Sequence, residues 1–200
     1  MYKFHGQIEK SWKFIDYDEF DADVGLKQAS GYVGLKNFGC TCYMNSLLQQ
    51  LYMIPALRQS ILDIYFASDS ASVDQNDDNL LYQLQGIFAN LQESEKSYFI
   101  PRGFVNSFKF DGEPVNVRIQ QDTHEFYNCL CDQIEQLIPA PPKDQNAAGD
   151  VQDAHNFLKK EIGGTICYQT TSLEPEYPYV GERDEAFYAI TLDIKNKKTI

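Results

Sequence analysis

The spacing of apolar residues changes once along this sequence, after Gly163 and Gly164, and this change constrains the fold more than any other feature. Before it, several segments carry apolar residues at helical spacing, most clearly Leu80, Leu81, Leu84, Ile87, Phe88 and Leu91, which follow Asp77, Asp78 and Asn79 as candidate caps. After it, residues 165–173 favour a strand, and apolar residues alternate with others over residues 187–194, as in a half-buried strand. The sequence therefore predicts an α+β fold in which a helical lobe precedes a β region.

Three parts are expected along the chain. Residues 1–30 form an irregular acidic leader, residues 31–162 form the helical lobe, and residues 163–200 begin the β region. Within the helical lobe, the polar segment 68–78 predicts a loop and the proline-rich segment 139–150 predicts a linker. With 43% hydrophobic residues, 13 Tyr and 13 Phe, the 200 residues can bury a sizeable core, so at least one globular domain is expected.

Charge and cysteine content limit the class of partner and the compartment. The formal net charge of −12 argues against nucleic acid, and it fits either a basic protein partner or an acidic surface that is simply solvated. Five cysteines without the spacing of a disulfide framework suit a reducing compartment. No apolar segment approaches the ~18 residues of a membrane span, and residues 1–7 do not resemble a signal peptide. We therefore expect no membrane association and a cytosolic or nuclear location.

A cysteine stands where a glycine-containing loop leads into a predicted helix. Apolar residues recur at helical spacing up to Pro55, so a helix over residues 42–53 is expected, with Thr41 as a candidate cap. On the first turn of that helix, unpaired backbone N–H groups and the helix dipole favour a thiolate over a thiol at Cys42, as a cysteine nucleophile requires. The alternative is that a cysteine in this stretch is only a small buried apolar residue, and this alternative applies more strongly to Cys40 than to Cys42.

Asn37 lies on the loop upstream of this helix and can fold back toward it. Its amide N–H could then join the backbone N–H of Cys42 in stabilising an oxyanion, and loss of such a donor typically costs ~10²–10³ in rate.

The residues around this cysteine resemble the cysteine box of the ubiquitin-specific proteases, since they read Gly34-Leu35-x-Asn37-x-Gly39-x-Thr41-Cys42-Tyr43-Met44-Asn45. The longer segment 31–55 is most similar to the very large members of that family, of the fat-facets type. The resemblance implies that Cys42 is the nucleophile and that Asn37 is the oxyanion donor. One departure is Cys40, where the family usually carries Asn or Ala, so two thiols flank Thr41.

A second stretch with chemical potential opens the predicted helix after residue 119, and it reads Gln120-Gln121-Asp122-Thr123-His124-Glu125-Phe126. Acidic residues in a first helical turn are explained by capping and dipole complementation alone. The stretch also resembles the second signature of the same family, whose helix lines the channel for the ubiquitin tail. That resemblance implies that Gln121 and Asp122 contact the tail, whose arginines would pair with Asp122. For Glu125 the capping and tail-binding interpretations are both open.

The resemblance spans about residues 31–200 and implies the hand-like architecture of papain-like proteases. The helical lobe would be the thumb, and the chain from Gly163 onward would enter the fingers and palm. The implied activity is a thiol-dependent deubiquitinase, with ubiquitin and ubiquitinated proteins as its partners. Two alternatives from other classes are a catalytically silent ubiquitin-binding scaffold and a redox-sensing thiol protein built on Cys40 and Cys42.

No metal or other cofactor is expected. Cys129 and Cys131 point to nearly opposite sides of a helix. Large members of the family commonly carry a C-x-x-C pair, half of a zinc site, shortly before the strand predicted over residues 187–194, but residues 170–184 contain no cysteine and Cys167 is isolated. The resemblance places the catalytic base in a histidine box far downstream. Among the residues present, His124 is the serious candidate, although a helix N-terminus disfavours its charged form. These 200 residues alone are therefore expected not to turn over ubiquitin conjugates.

Overall fold

The computed structural model describes residues 25–64, 78–138 and 157–192, and residue 195. The leader over residues 1–24, the polar segment 68–77 and the linker 139–150 lie outside the described residues. The helices in these ranges are α1 (Cys42–Tyr52), α2 (Pro55–Asp63), α3 (Leu80–Glu93), α4 (Arg102–Ser107), α5 (Thr123–Leu137) and α6 (Phe157–Glu161). The strands are β1 (Gly34–Leu35), β2 (Tyr98–Phe99), β3 (Lys109–Phe110), β4 (Glu113–Pro114), β5 (Gly164–Thr171) and β6 (Val180–Phe187). The mixture of helix and strand agrees with the predicted α+β class.

Helix α3 lies at the centre of the helical lobe and packs against α2, α4 and α5. Its apolar positions at helical spacing are buried as predicted, with Leu81, Leu84 and Phe88 fully removed from solvent. Complete burial of one such side chain contributes about 1.5–3 kcal/mol, and burial of the apolar face therefore explains why this segment is helical. Asn79 caps the helix as predicted, because its Oδ1 accepts a hydrogen bond of 3.0 Å from Tyr82 N.

An aromatic cluster joins α1, α4 and α5, and it consists of Tyr43, Phe104, Phe108, Phe110 and Phe126. The ring of Phe126 meets those of Phe108 and Tyr43 edge-on, at centroid distances of 4.9 and 5.5 Å. Edge-to-face contacts of this kind add to the free energy gained by burial. Since Tyr43 and Phe126 each lie in the first turn or so of a helix, the cluster fixes the starts of α1 and α5 relative to each other.

The short parallel pair β1–β2 holds the segment before α1 against the segment after α3. Gly34 pairs with Tyr98 and Leu35 with Phe99, and Lys36 N donates to Phe99 O at 2.9 Å. Side chains of α1 fasten the same segment from the other side, because Asn45 Nδ2 donates to the carbonyls of Leu35 and Lys36. The strand therefore delivers the chain to the start of α1 along a fixed path.

The β region is an antiparallel hairpin in which all eight residues of β5 pair with β6, from Gly164 with Phe187 to Thr171 with Val180. The strand predicted over residues 165–173 is confirmed. The strand predicted over residues 187–194 is wrong, because β6 ends at Phe187 and residues 188–192 are not in a strand. Pairing with β5 selects residues 180–187, whereas the alternating residues that follow have no strand to pair with among the described residues.

Truncation of the aromatic cluster should destabilise the helical lobe. We expect Phe126→Ala to lower the free energy of unfolding by about 3–5 kcal/mol, because the side chain is completely buried and its removal leaves a cavity. Urea unfolding measures the change. Leu173→Ala is the matched control, since Leu173 is 97% exposed and its truncation should cost less than about 0.5 kcal/mol. Equal effects of the two variants would contradict this view of the core.

Candidate active site

Cys42 is the first residue of α1, as the sequence predicts, and its side chain is exposed. Cys167 is also exposed, but it lies in the strand β5, and the three other described thiols are less exposed. Cys131 is buried, and burial raises its pKa to about 12. Burial also raises the pKa of Cys129. Cys40 is half-buried, and its Sγ lies 3.5 Å from the carbonyl oxygen of Arg118. Cys42 therefore combines access to solvent with a position at the start of a helix.

Asn37 folds back onto the loop before α1, as predicted, and organises it. Its Oδ1 accepts hydrogen bonds from Thr41 N at 3.1 Å and from Thr41 Oγ1 at 2.7 Å, while its Nδ2 donates to Gly39 O at 2.6 Å. Thr41 Oγ1 in turn accepts a hydrogen bond of 3.0 Å from Phe38 N. These four bonds close a compact loop whose geometry sets the direction in which α1 begins.

The expectation that the Thr41 side chain caps α1 is wrong. Thr41 occupies the residue before the helix, but its hydroxyl bonds to Asn37 and Phe38 and makes no capping hydrogen bond. The buried Thr41 therefore serves the loop. The backbone N–H groups of the first turn of α1 donate no hydrogen bond to this side chain.

A second segment, residues 115–120, lies against the loop of residues 37–41 before α1, which we call the cysteine loop. Cys40 N donates to Val117 O at 2.8 Å, and Gly39 has φ +101 with the same carbonyl close by. A Cβ at position 39 would lie 2.7 Å from Val117 O, so a side chain there would combine backbone strain with a steric overlap. The two segments can thus approach each other closely only because residue 39 is glycine.

This approach brings Gln120 to the thiol, with its Nε2 at 3.8 Å from Cys42 Sγ. Sequence reasoning selected the neighbouring Gln121, which is half-buried, and missed Gln120. A signal for it exists in the sequence, because the second signature has the form Gln-x-Asp and only Gln120 stands two residues before Asp122.

Asp122 caps α5, since its Oδ1 accepts hydrogen bonds from His124 N at 2.6 Å and Glu125 N at 3.2 Å. The capping interpretation of this residue is therefore confirmed. Both hydrogen bonds use Oδ1, and in the described ranges Oδ2 accepts none. The side chains of Asp122 and Glu125 are exposed, so the start of α5 presents two acidic groups to solvent.

His124 is exposed on α5, and its Nδ1 lies 3.5 Å from Asn128 Nδ2 on the next turn of the same helix. His5 and His155 lie outside the described residues. Within the ranges that the structure describes, no imidazole is hydrogen-bonded to Cys42. The same residues contain no group of three or more His, Cys, Asp and Glu side chains that could hold a metal ion. None of the helices described is both long and apolar enough to cross a membrane.

Comparison with known proteins identifies the family. The family model described as ubiquitin carboxyl-terminal hydrolase matches residues 33–172. The chain is 35% identical to ubiquitin carboxyl-terminal hydrolase 24 of Homo sapiens over 91% of its own length and 6% of that protein. It is 33% identical to ubiquitin carboxyl-terminal hydrolase 9Y of Homo sapiens over 91% of its length and 8% of that protein.

A relative from an insect is also similar, since the chain is 30% identical to the probable ubiquitin carboxyl-terminal hydrolase FAF of Drosophila melanogaster over 88% of its length. The chain spans 8% of that relative and therefore, as with the two human proteins, less than a tenth of its length. Because the family model covers more than half of the chain, the chain belongs to the ubiquitin carboxyl-terminal hydrolase family.

Proposed function

We propose that this chain carries the nucleophile half of the catalytic domain of a thiol-dependent deubiquitinase, which hydrolyses the peptide or isopeptide bond at the C-terminal glycine of ubiquitin. One observation carries the proposal. Cys42 is exposed at the first turn of α1, directly after the loop that Asn37 holds in shape. The side-chain amide of Gln120 is directed at its Sγ. A cysteine that only filled space in the core would need neither exposure nor such partners.

In the first half of the reaction, the thiolate of Cys42 attacks the carbonyl carbon of the terminal glycine. The resulting oxyanion accepts hydrogen bonds from the backbone N–H of Cys42 and from Asn37 Nδ2. Collapse of the tetrahedral intermediate expels the amine, which takes a proton from the histidine that the family resemblance places downstream and that had accepted the proton of the thiol, and an acyl thioester remains on Sγ. Water then attacks the thioester by the same sequence of steps and releases ubiquitin. Asn37 Nδ2 carries two hydrogens, so it can donate one to the oxyanion while the other keeps its hydrogen bond to Gly39 O.

The ubiquitin tail would lie along the start of α5. Gln121, Asp122 and Glu125 are the residues that we assign to tail binding. The Oδ2 atom of Asp122 takes no part in the capping bonds, which Oδ1 accepts, and it can pair with an arginine of the tail. The net charge of −12 favours a basic segment of this kind.

The architecture that we propose is the papain-like hand. Residues 31–162, including α1–α6, would form the thumb, and the β5–β6 hairpin would begin the fingers and palm. Among the described residues the hairpin is a two-stranded sheet, so each strand has one edge at which a further strand could pair. We also propose a cytosolic or nuclear location, where the thiol of Cys42 stays reduced.

A second candidate function is a catalytically silent ubiquitin-binding scaffold. The observation that favours it is the orientation of His124, which contacts Asn128 instead of Cys42. A ubiquitin probe with a thiol-reactive C-terminal group separates the two functions in the intact protein. A covalent adduct on Cys42 supports the protease, whereas reversible binding without an adduct supports the scaffold.

The identity of the nucleophile is tested by two matched variants. We expect Cys42→Ala to abolish capture of the ubiquitin probe and Cys40→Ala to leave capture largely intact. The reason is that only Cys42 is exposed at the helix start, while Cys40 is half-buried against Arg118 O. Gel shift and peptide mass mapping measure the adduct. Equal loss from both variants would mean that the nucleophile is misassigned.

The two roles of Asn37 can be separated by variants that keep or remove its acceptor atom. Asn37→Asp retains an oxygen for Thr41 and removes the Nδ2 donor, whereas Asn37→Ala removes both. We expect both variants to slow acylation by about 10²–10³-fold and to leave noncovalent ubiquitin affinity nearly unchanged, since an oxyanion donor acts on the transition state. Asn37→Ala should lower thermal stability more than Asn37→Asp, because Asn37→Asp loses the bond to Gly39 O but keeps an acceptor for Thr41. A parallel rise in the dissociation constant would exclude the oxyanion role.

The roles of Asp122 are separated in a similar way. Asn is as good a helix cap as Asp, so Asp122→Asn should keep the stability of the protein and weaken ubiquitin binding by removing the charge. Asp122→Ala should weaken binding and also destabilise the protein by about 1 kcal/mol through loss of the cap. Calorimetric titration and thermal unfolding measure the two effects. Unchanged affinity in both variants would leave Asp122 with the capping role alone.

A further inference from the structure

We propose that Gln120 is a further catalytic residue, whose side-chain amide donates to Cys42 Sγ in the resting site and to the oxyanion during acyl transfer. This inference rests on the proposed function. The carrying observation is the contact of 3.8 Å between Gln120 Nε2 and Cys42 Sγ, which joins the nucleophilic atom to a side chain from a distant part of the sequence.

The addition of Sγ to the carbonyl carbon connects the contact of Gln120 with sulfur to its proposed contact with the oxyanion. The oxyanion is separated from Sγ by two covalent bonds through the former carbonyl carbon. A donor within hydrogen-bond reach of Sγ can therefore also reach that oxygen when the oxygen forms on the donor's side of Sγ, and this is the arrangement that the proposal requires. A hydrogen bond to sulfur is weak, so the exchange of sulfur for a charged oxygen strengthens the interaction as the reaction proceeds. An interaction that grows toward the transition state is the kind that accelerates the chemical step.

The side chain of Gln120 is exposed, but hydrogen bonds of the turn before it hold its backbone in place. The preceding turn is closed by two bonds to Asn116, from Arg118 N to Oδ1 at 3.0 Å and from Ile119 N to the carbonyl oxygen at 3.1 Å. The same turn is fastened to the cysteine loop, because Val117 O accepts from Cys40 N. Gln120 is therefore held at the thiol by its own segment, independently of any substrate.

Asn37 and Gln120 differ in how their amides are engaged. Asn37 Nδ2 makes a bond of 2.6 Å within its own loop, and Asn37 Oδ1 accepts two further bonds. Gln120 Nε2 makes its contact with sulfur, which exchanges for a better acceptor at little cost. Gln120 thus adds a second side-chain amide to the site, and its N–H groups make no hydrogen bond within the loop that Asn37 shapes.

The test compares Gln120→Ala and the nearly isosteric Gln120→Met with the matched neighbour Gln121→Ala in the intact protein. The measurements are the single-turnover acylation rate at saturating ubiquitin substrate and the affinity for ubiquitin in a Cys42→Ala background. We expect both Gln120 variants to lose about 10²–10³-fold in the acylation rate, with ubiquitin affinity changed by less than about twofold. Gln121→Ala, at a residue assigned to tail binding, should instead change mainly the affinity.

The outcomes distinguish this inference from the proposed function. If the unmodified protein forms no adduct at Cys42, the proposed function fails. If the unmodified protein reacts and Gln120→Met keeps its acylation rate within about threefold, the catalytic role of Gln120 is overturned. A loss of affinity with an unchanged saturating rate also overturns it, because Gln120 would then be a tail contact only. Thermal unfolding of each variant verifies folding, and the exposure of Gln120 predicts an unchanged midpoint.

Discussion

The hydrogen bond from Cys40 N to Val117 O is the contact on which the geometry of the site depends. It joins the loop that carries Cys42 to a turn from a distant part of the sequence. Gly39 makes the approach possible, because its positive φ and missing side chain leave room for the same carbonyl. Beside this backbone bond, the contacts of Cys40 Sγ with Arg118 O and of Cys42 Sγ with Gln120 Nε2 are weaker, because sulfur is a poor hydrogen-bonding atom.

The aromatic cluster packs beneath the hydrogen bond between Cys40 and Val117 and joins the helices on either side of it. Tyr43, the residue after Cys42, and Phe126, the residue after Glu125, meet edge-on at 5.5 Å. The phenol oxygen of Tyr43 is buried and accepts or donates no hydrogen bond within the described residues. Burial, together with the nearby Cys42, raises the pKa of Tyr43 to about 12. Tyr43 therefore stays neutral beneath the thiol and serves as a spacer between the site and the helical lobe.

Local signals were sufficient to predict the helices from the sequence. The start of α1 at Cys42 and the cap at Asn79 depend on residues within a few positions of each other, and both are confirmed. Contacts between distant segments were not predictable in this way. The Thr41 hydroxyl forms its hydrogen bond with Asn37 in the loop and does not cap the helix. The position of β6 depends on the strand with which it pairs. Gln120 was missed for the same reason, since its role is visible only after residues 115–120 are placed against the cysteine loop.

The β5–β6 hairpin differs from the helical lobe in what keeps it folded. Its backbone hydrogen bonds are paired along eight residues, yet most of its side chains face solvent on both sides. Directly after β6, Tyr188 is bonded to α5. Tyr127 Oη donates to Tyr188 O at 3.1 Å, and Tyr188 Oη donates to Glu135 Oε1. Two isolated strands are only marginally stable in water. Amide protons of the hairpin should therefore exchange with solvent through small local openings, whereas those of α3 should require opening of the whole helical lobe.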